Sequence, residues 1–200
     1  MCWNAEVSLN TFIIGVISAT ILVLLNNTPY LYIFIGLSVS FMQLLEYFTW
    51  TNINNKKIIK ILSIFGIITI ITQVFLIIFL IKNKKYRNLM LSSLMIFLLI
   101  YINFIFPTTK LYMEKGKNGH LIWHWIDVNI IWFIITFLFY TIPLLLNRYY
   151  TIFSFLLMSI IICMYFFYKY KTFGTIWCYI SNIIWIYLLY NSIIKFSVLE

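Results

Sequence analysis

Residues 7–45 read VSLNTFIIGVISATILVLLNNTPYLYIFIGLSVSFMQLL and contain no charged side chain. A helix that crosses the apolar core of a bilayer needs about 20 residues of this kind, so the run is long enough for two crossings. Asn26-Asn27-Thr28-Pro29 interrupts it with a turn signal, and the proline is placed to start a second helix. The stretch therefore predicts a pair of membrane-spanning helices.

The whole chain has the composition of a membrane protein. Of its 200 residues, 64% are hydrophobic and only 10% are charged, whereas a soluble domain carries roughly a quarter charged residues. A water-soluble fold of this length could not bury so much apolar surface. Runs such as residues 67–71 (IITII) also lack the strict alternation of membrane β-strands. An all-α integral membrane fold follows, because in lipid the backbone must pair internally.

Further charge-free runs divide the rest of the chain into crossings. Pro107 ends one of them, because the residue before a proline disfavours the helical region. The sequence predicts a single transmembrane domain over residues 1–200, an integral membrane bundle of seven helices with its longest link at 107–119. The segments are expected at about 8–25, 30–50, 61–81, 88–106, 121–146, 149–168 and 173–194.

The excess of positive charge is expected to serve the bilayer rather than a nucleic acid. The chain carries 14 Lys and Arg against 5 Asp and Glu, a formal net charge of +9. These cations lie mainly between the apolar runs, where lysines contact lipid head groups and fix topology. No basic stripe is interleaved with stacking aromatics, so nucleic-acid binding is not predicted.

Seven crossings would gather the unusual side chains at one membrane face. The start of segment one, the end of segment two and the starts of segments five and seven would then meet on the same side. Lys and Arg are divided too evenly between the two sides to give the absolute orientation. The titratable residues expected on or near the shared face are Cys2, Glu6, Glu46, Glu114, His120, His124 and Asp127.

The strongest local signal is HLIWHWID at residues 120–127. On a helix, His120, His124 and Asp127 at positions i, i+4 and i+7 would share one face. Two imidazoles and a carboxylate suit zinc or another first-row metal and leave a position for water. The alternative is an interfacial stretch in which these residues and the tryptophans lie in the head-group belt.

Glu46 and Cys2 join Asp127 as candidate catalytic residues. A carboxylate costs about 2.5 kcal/mol or more at the centre of a spanning segment, so Glu46 should face the bundle interior with a partner. Gln43 shares its face. If Met1 is removed, the thiol and free amine of Cys2 could act as nucleophile and base. The alternatives are a Glu46 that reaches the interface and a Cys2 that is a small apolar residue or an acylated thiol.

Two stretches carry a resemblance to known families. Residues 1–12 (MCWNAEVSLNTF) and 43–50 (QLLEYFTW) resemble an uncharacterised family of polytopic membrane proteins of giant DNA viruses and microbes. Its members usually begin Met-Cys-Trp-Ser-Ala or Met-Cys-Phe-Ser-Ala, and Asn4 stands in the place of that serine. The resemblance implies a multi-pass viral protein in a host or virion membrane, without an assigned activity. More weakly, residues 120–124 (HLIWH) are similar to a His-x-x-Trp-His motif of ceramidase-like seven-helix hydrolases.

Three functions remain open from the sequence. The first is a polar pocket at one membrane face that binds a metal or a lipid-like substrate, with hydrolysis by metal-bound water if the chain is an enzyme. The second is a proton-coupled carrier or channel in which Glu46, His120 and His124 pass protons. The third is a structural membrane protein without chemistry. The sequence assigns no oligomeric state.

Overall fold

The structure, a computed structural model, describes residues 4–126 and 130–197. This part of the chain is nearly all helical, with one antiparallel β-hairpin before the fifth helix. The elements are α1 (Ala5–Leu25), α2 (Tyr30–Thr51), α3 (Lys56–Phe79), α4 (Lys84–Ile100), β1 (Met113–Lys115), β2 (Leu121–Trp123), α5 (Ile130–Leu146), α6 (Tyr150–Phe167), α7 (Phe173–Ser181) and α8 (Ile184–Ser197). A π-helical turn at Tyr101–Ile105 and a 3₁₀ turn at Phe106–Thr108 extend α4.

Six helical segments in the described ranges are long and apolar enough to cross a membrane. The membrane class and the nearly all-α fold expected from composition are confirmed at this level. One more apolar helix, Ile131–Leu146, is shorter than the six. The six are Ala5–Leu25, Tyr30–Thr51, Lys56–Phe79, Lys84–Thr108, Tyr150–Tyr170 and Phe173–Ile194, the last including the break between α7 and α8.

Asparagine side chains set where several helices begin. The side chains of Asn4, Asn55 and Asn83 each accept a hydrogen bond from a backbone N–H in the first turn of α1, α3 and α4. An asparagine at this position satisfies a donor that the helix itself cannot pair. Asn26 ends α1 in the left-handed conformation, and Pro29 precedes α2.

The structure corrects the sequence prediction at residues 121–126. One helix is predicted over about 121–146, but residues 121–123 form β2 and α5 begins at Ile130. The reason is turn chemistry, since Asn118-Gly119 is a strong hairpin signal. Gly119 has a φ angle of +84°, a backbone conformation that residues with a Cβ atom rarely adopt. The loop is closed by Gly119 N donating to Gly116 O at 3.0 Å and by Gly116 N donating to His120 O at 2.7 Å.

The hairpin marks one end of the bundle, which we call the hairpin end. There, Thr49 near the end of α2 contacts Met113 of β1, with Oγ1 and Sδ 3.8 Å apart. Thr175 Oγ1, in the first turn of α7, donates to Leu121 O at 3.2 Å. These contacts bring the end of α2 and the start of α7 to the same end of the bundle.

Three polar contacts define the opposite end, which we call the far end. They join the α1–α2 turn to α8, the residues after α3 to those after α5, and the start of α2 to the start of α6. The pairs are Asn27 Nδ2 to Ser192 O at 2.8 Å, Lys82 N to Asn147 Oδ1 at 3.1 Å, and Tyr32 OH to Tyr149 OH at 2.6 Å.

Helices α1, α2 and α8 approach closely around Trp185. A Cβ added to Gly36 would lie 2.7 Å from Trp185 Cη2, so only glycine leaves room for the ring. Trp185 Nε1 donates to Ser40 Oγ at 2.7 Å, and Ser40 Oγ donates to Asn182 Oδ1 at 2.8 Å. Small residues and interhelical hydrogen bonds are what hold helices together in lipid.

Gly36→Ala tests this close approach. In an unobstructed helix the change would add about 0.8–1.0 kcal/mol of stability, but here the new methyl overlaps the Trp185 ring, and overpacking costs about 1–3 kcal/mol. We expect a lower unfolding midpoint in detergent micelles. In a Trp185→Phe background, which lacks the obstructing ring atoms, the penalty should shrink. A midpoint that rises in the wild-type background would contradict the packing described.

Candidate functional site

The hairpin covers the interior of the bundle with its apolar face. Met113, Leu121 and Trp123 of the two strands are buried, as is Trp125 just after them. They share one cluster with apolar side chains of α2 and α3 and with Cys178 of α7. Antiparallel pairing places directly opposite residues on the same face, and Met113 opposes Trp123. Tyr112, Glu114 and His124 therefore lie on the outer face.

On that outer face His124 pairs with Glu114. His124 Nε2 lies 2.9 Å from Glu114 Oε1, with 19% and 42% of the two side chains exposed. The imidazole stacks on the Tyr112 ring at a centroid distance of 5.5 Å. Partial burial and the Glu114 carboxylate raise the pKa of Tyr112, and its phenol donates to Glu114 Oε2 at 3.4 Å. The sequence did not indicate Glu114 as the partner of His124.

His120 lies in a different environment from His124. It is buried at the end of the hairpin loop, and its ring meets the edge of Phe167 in α6 at 5.8 Å. The helical spacing predicted for the two histidines is wrong, because residues 121–123 between them are extended. Four residues of strand cover roughly 13 Å rather than one helical turn. His120 therefore contacts α6 while His124 contacts β1.

Of the predicted metal ligands, His120 and His124 lie within the described residues and Asp127 does not. Within residues 4–126 and 130–197, no three His, Cys, Asp or Glu side chains are grouped so as to hold a metal ion. Asp127 and Cys2 lie outside the described residues. A zinc site that includes Asp127, and the catalytic roles of Asp127 and Cys2, accordingly stay predictions.

Glu46 faces the interior of the bundle, as the cost of a carboxyl in lipid requires. Only 1% of the residue is exposed, and Ser8 of α1 donates to its Oε2 at 3.4 Å. Its neighbours Met42 and Leu45 belong to the apolar cluster beneath the hairpin. Glu46 therefore lies on the inner side of the hairpin layer and His124 on its outer face, and the proton relay through Glu46, His120 and His124 stays a prediction.

Glu46 belongs to a buried polar stripe along α2. Ser40, Gln43, Glu46 and Thr49 follow one another at intervals of three residues, and none is more than 1% exposed. Each can be buried because a partner lies nearby, for example Asn182 at Ser40 and Ser8 at Glu46. The stripe runs from the hairpin end toward the middle of the bundle.

A second buried polar group joins α2, α3 and α5. Gln73 Nε2 donates to Ser38 O at 3.0 Å, and Tyr140 OH donates to Gln73 Oε1 at 2.8 Å. The amide is thereby used as both donor and acceptor, which is how a buried side-chain amide avoids a desolvation cost. Tyr140 also forms part of the wall of two cavities.

The larger cavity, which we call the α6–α8 cleft, has a volume of about 420 Å³. Its side walls come from α6 and α8, and its back wall comes from α2, α3, α5 and α7. The lining is mainly apolar, with no Lys, Arg, His, Asp or Glu among the lining residues of the described chain. Polar groups gather at Gln73, Tyr140 and Ser159, where Trp177 Nε1 donates to Ser159 Oγ at 3.1 Å. No motif or spacing in the sequence predicts this cleft, because it arises from how the helices pack.

The smaller cavity, which we call the inner chamber, lies between α3, α4 and α5. Its volume is about 100 Å³, and Trp125 forms part of its lining. Tyr140 and Trp177 line both the chamber and the α6–α8 cleft. These two side chains thus separate two mainly apolar spaces.

The burial of the two acids leads to a paired prediction. Glu46→Ala removes the acceptor of the buried Ser8 hydroxyl, and an unsatisfied buried group costs about 1–3 kcal/mol. Glu114→Ala breaks a partly exposed ion pair worth about 0–1 kcal/mol. We therefore expect Glu46→Ala to lower the unfolding free energy in micelles more than its matched control Glu114→Ala. Equal losses would show that Glu46 is not held by the interior as described.

Comparison with known proteins adds no relative to this picture. No family model matches the chain, and no curated protein and no solved structure matches it. The resemblance of residues 1–12 and 43–50 to a polytopic family, and the viral membrane it implies, stay predictions. The two histidines of the hydrolase-like motif flank a β-strand here. The function of this chain has to follow from the polar groups and cavities that its own fold creates.

Proposed function

We propose that this chain is a seven-pass membrane protein that binds a lipid-like molecule in the α6–α8 cleft. The observation that carries the proposal is the cleft itself, about 420 Å³ in volume and lined mainly by apolar side chains with a few hydroxyl and amide groups. Ligand pockets of roughly 300–1,000 Å³ have this composition. The two parts of the proposal, the seventh pass and the ligand, rest on separate observations.

The seventh pass would be α5. Its 17 residues give a length of about 25 Å, close to the apolar thickness of roughly 30 Å. The helix follows the hairpin in sequence, and Asn147 just after it accepts a hydrogen bond from Lys82 N at the far end. The ends of α5 thus lie at opposite ends of the bundle, which supports a complete crossing.

Labelling of single cysteines tests the seventh pass. Lys117→Cys in the hairpin loop and Arg148→Cys after α5 should react with an impermeant maleimide from opposite sides of sealed vesicles. Lys84→Cys, at the far end, should react from the same side as Arg148→Cys. A Cys2→Ser background suits the experiment, since Cys163 and Cys178 are buried. Labelling of positions 117 and 148 from the same side would refute the crossing.

The lining of the cleft favours a lipid-like ligand over a charged solute. No charged side chain lines it within the described chain, and an ion taken out of water needs a partner of opposite charge. Phe155 and Ile186 on the two side walls are 40% and 67% exposed. In a membrane such side chains face lipid, so an apolar ligand can enter sideways. The hydroxyl and amide groups near Gln73 and Ser159 would then meet the polar part of that ligand.

Photolabelling tests ligand binding in the cleft. A fatty acid that carries a diazirine near its chain end should label residues 183–190, at the start of α8, more strongly than the outer face of α4. Leu156→Trp fills the cleft from α6 and should reduce labelling of α8 to the level of α4. Ile161→Trp is the matched control, because Ile161 lies on the same helix but does not line the cleft. If both variants label like the wild type, the cleft does not hold the ligand.

A further inference from the structure

We infer that the inner chamber binds a neutral carbonyl group of an apolar ligand, with the indole N–H of Trp125 as the hydrogen-bond donor. The chamber lies between α3, α4 and α5, so this site is separate from the α6–α8 cleft and does not depend on the proposed function. The inference rests on a buried donor with no acceptor, on a rigid ring and on an uncharged lining.

The buried donor is the first argument. Trp125 is only 4% exposed and Trp123 only 2%, and the two indoles stack with centroids 5.0 Å apart and planes 12° apart. Neither Nε1 has a hydrogen-bond acceptor among residues 4–126 and 130–197. A buried donor left unpaired costs about 1–3 kcal/mol, and such groups are rare in native folds unless they serve a ligand, water or ion. Of these two tryptophans, Trp125 is the one that lines the chamber.

The rigidity of the ring is the second argument. Trp125 packs against α3 at Gly66, where an added Cβ would lie 2.7 Å from Trp125 Cζ2. The indole of Trp123 stacks on the indole of Trp125. The turn that contains Trp125 is closed by a hydrogen bond from Ile126 N to Trp123 O at 3.1 Å. A donor held in this way is already oriented, so little entropy is lost when it meets an acceptor.

The lining of the chamber determines the class of ligand. No Lys, Arg, His, Asp or Glu is among the lining residues of the described chain, so a carboxylate or phosphate would be buried without a counter-charge. Tyr140, Thr136 and Trp177 already donate to Gln73, Trp132 and Ser159. The remaining lining hydroxyl, that of Tyr101, is hydrogen-bonded with Thr109. The indole N–H of Trp125 is therefore the donor left for a ligand, and a ligand with one neutral hydrogen-bond acceptor matches it. With a volume of about 100 Å³, the chamber has space for a carbonyl and several carbons, since a cavity of about 150 Å³ holds benzene.

The backbone of α4 has an irregular turn next to this chamber. The π-helical turn at Tyr101–Ile105 begins at Tyr101, which also lines the chamber. Turns of this kind inside helices occur frequently at functional sites. The feature agrees with a binding site at this position, and the argument for the ligand class does not depend on it.

Matched ligands test the donor directly. We compare 2-butanone with 2-methylbutane, which has nearly the same size and shape but no acceptor and, like the ketone, is small enough for the chamber, using protein labelled with ¹⁵N-tryptophan in micelles. The ketone should bind about two- to tenfold more tightly than the alkane, the range expected for one neutral hydrogen bond. It should also shift the Trp125 indole N–H resonance, whereas the alkane should not shift it in the same direction.

Variants at position 125 and elsewhere complete the test. Trp125→Phe should abolish the preference for the ketone, and benzothienylalanine at position 125 should do the same while keeping the ring shape. The matched control Trp132→Phe, on α5 outside the lining, should retain the preference. Leu156→Trp, which fills the cleft, should also retain it, so failure of the cleft proposal is distinguishable from failure here.

Two results would overturn the inference. The first is a preference for the ketone that persists when Trp125 has lost its N–H. The second concerns Asp127, two residues further along the chain. If Asp127→Asn shifts the Trp125 indole resonance in ligand-free protein and the ketone does not, the carboxyl group of this chain is the acceptor.

Discussion

A polar side chain inside this bundle has to find its hydrogen-bond partner in the protein or in a bound molecule, because lipid offers none. This constraint explains the stripe on α2. The hydroxyl of Ser40 accepts a hydrogen bond from the indole N–H of Trp185 and donates one to Asn182. The carboxyl group of Glu46 accepts a hydrogen bond from Ser8. Two of these contacts join α2 to the α7–α8 region and the third joins it to α1. The polar stripe thereby fixes which helices surround α2 and in what rotation, which apolar contacts alone specify less well.

The hairpin has a corresponding role at its end of the bundle. Its inner face contributes Met113, Leu121 and Trp123 to the cluster that covers α2 and α3. Its outer face carries Glu114 and His124, which are polar enough to meet head groups or water. An amphipathic cover of this kind separates Glu46 from the membrane surface. A short strand pair is suited to the task because successive side chains point to opposite faces.

The sequence predicts this molecule well where lipid alone decides the structure. The apolar runs and the inward position of Glu46 follow from the cost of polar groups in hydrocarbon. The hairpin was missed because residues 121–126 (LIWHWI) are as apolar as a spanning helix, while the turn at Asn118-Gly119 is a local signal of only two residues. The pairing of His124 with Glu114 depends on that turn.

The hydrogen-bond partners of the α2 stripe, Ser8 and Asn182, depend on how helices distant in sequence pack against each other. The two cavities depend on the same packing. No spacing along the chain therefore encodes them.

The two cavities are best understood through the side chains they share. Tyr140 and Trp177 line both spaces, and each donates its polar hydrogen to a side chain on another helix, Gln73 on α3 and Ser159 on α6. Those bonds hold the two rings as a partition between the cleft and the inner chamber. A ligand that displaced either bond would leave a buried group unsatisfied, so the partition favours two separate occupants over one continuous one. A chain held between α6 and α8 and a carbonyl held at Trp125 are then distinct events, coupled only through the position of these two rings.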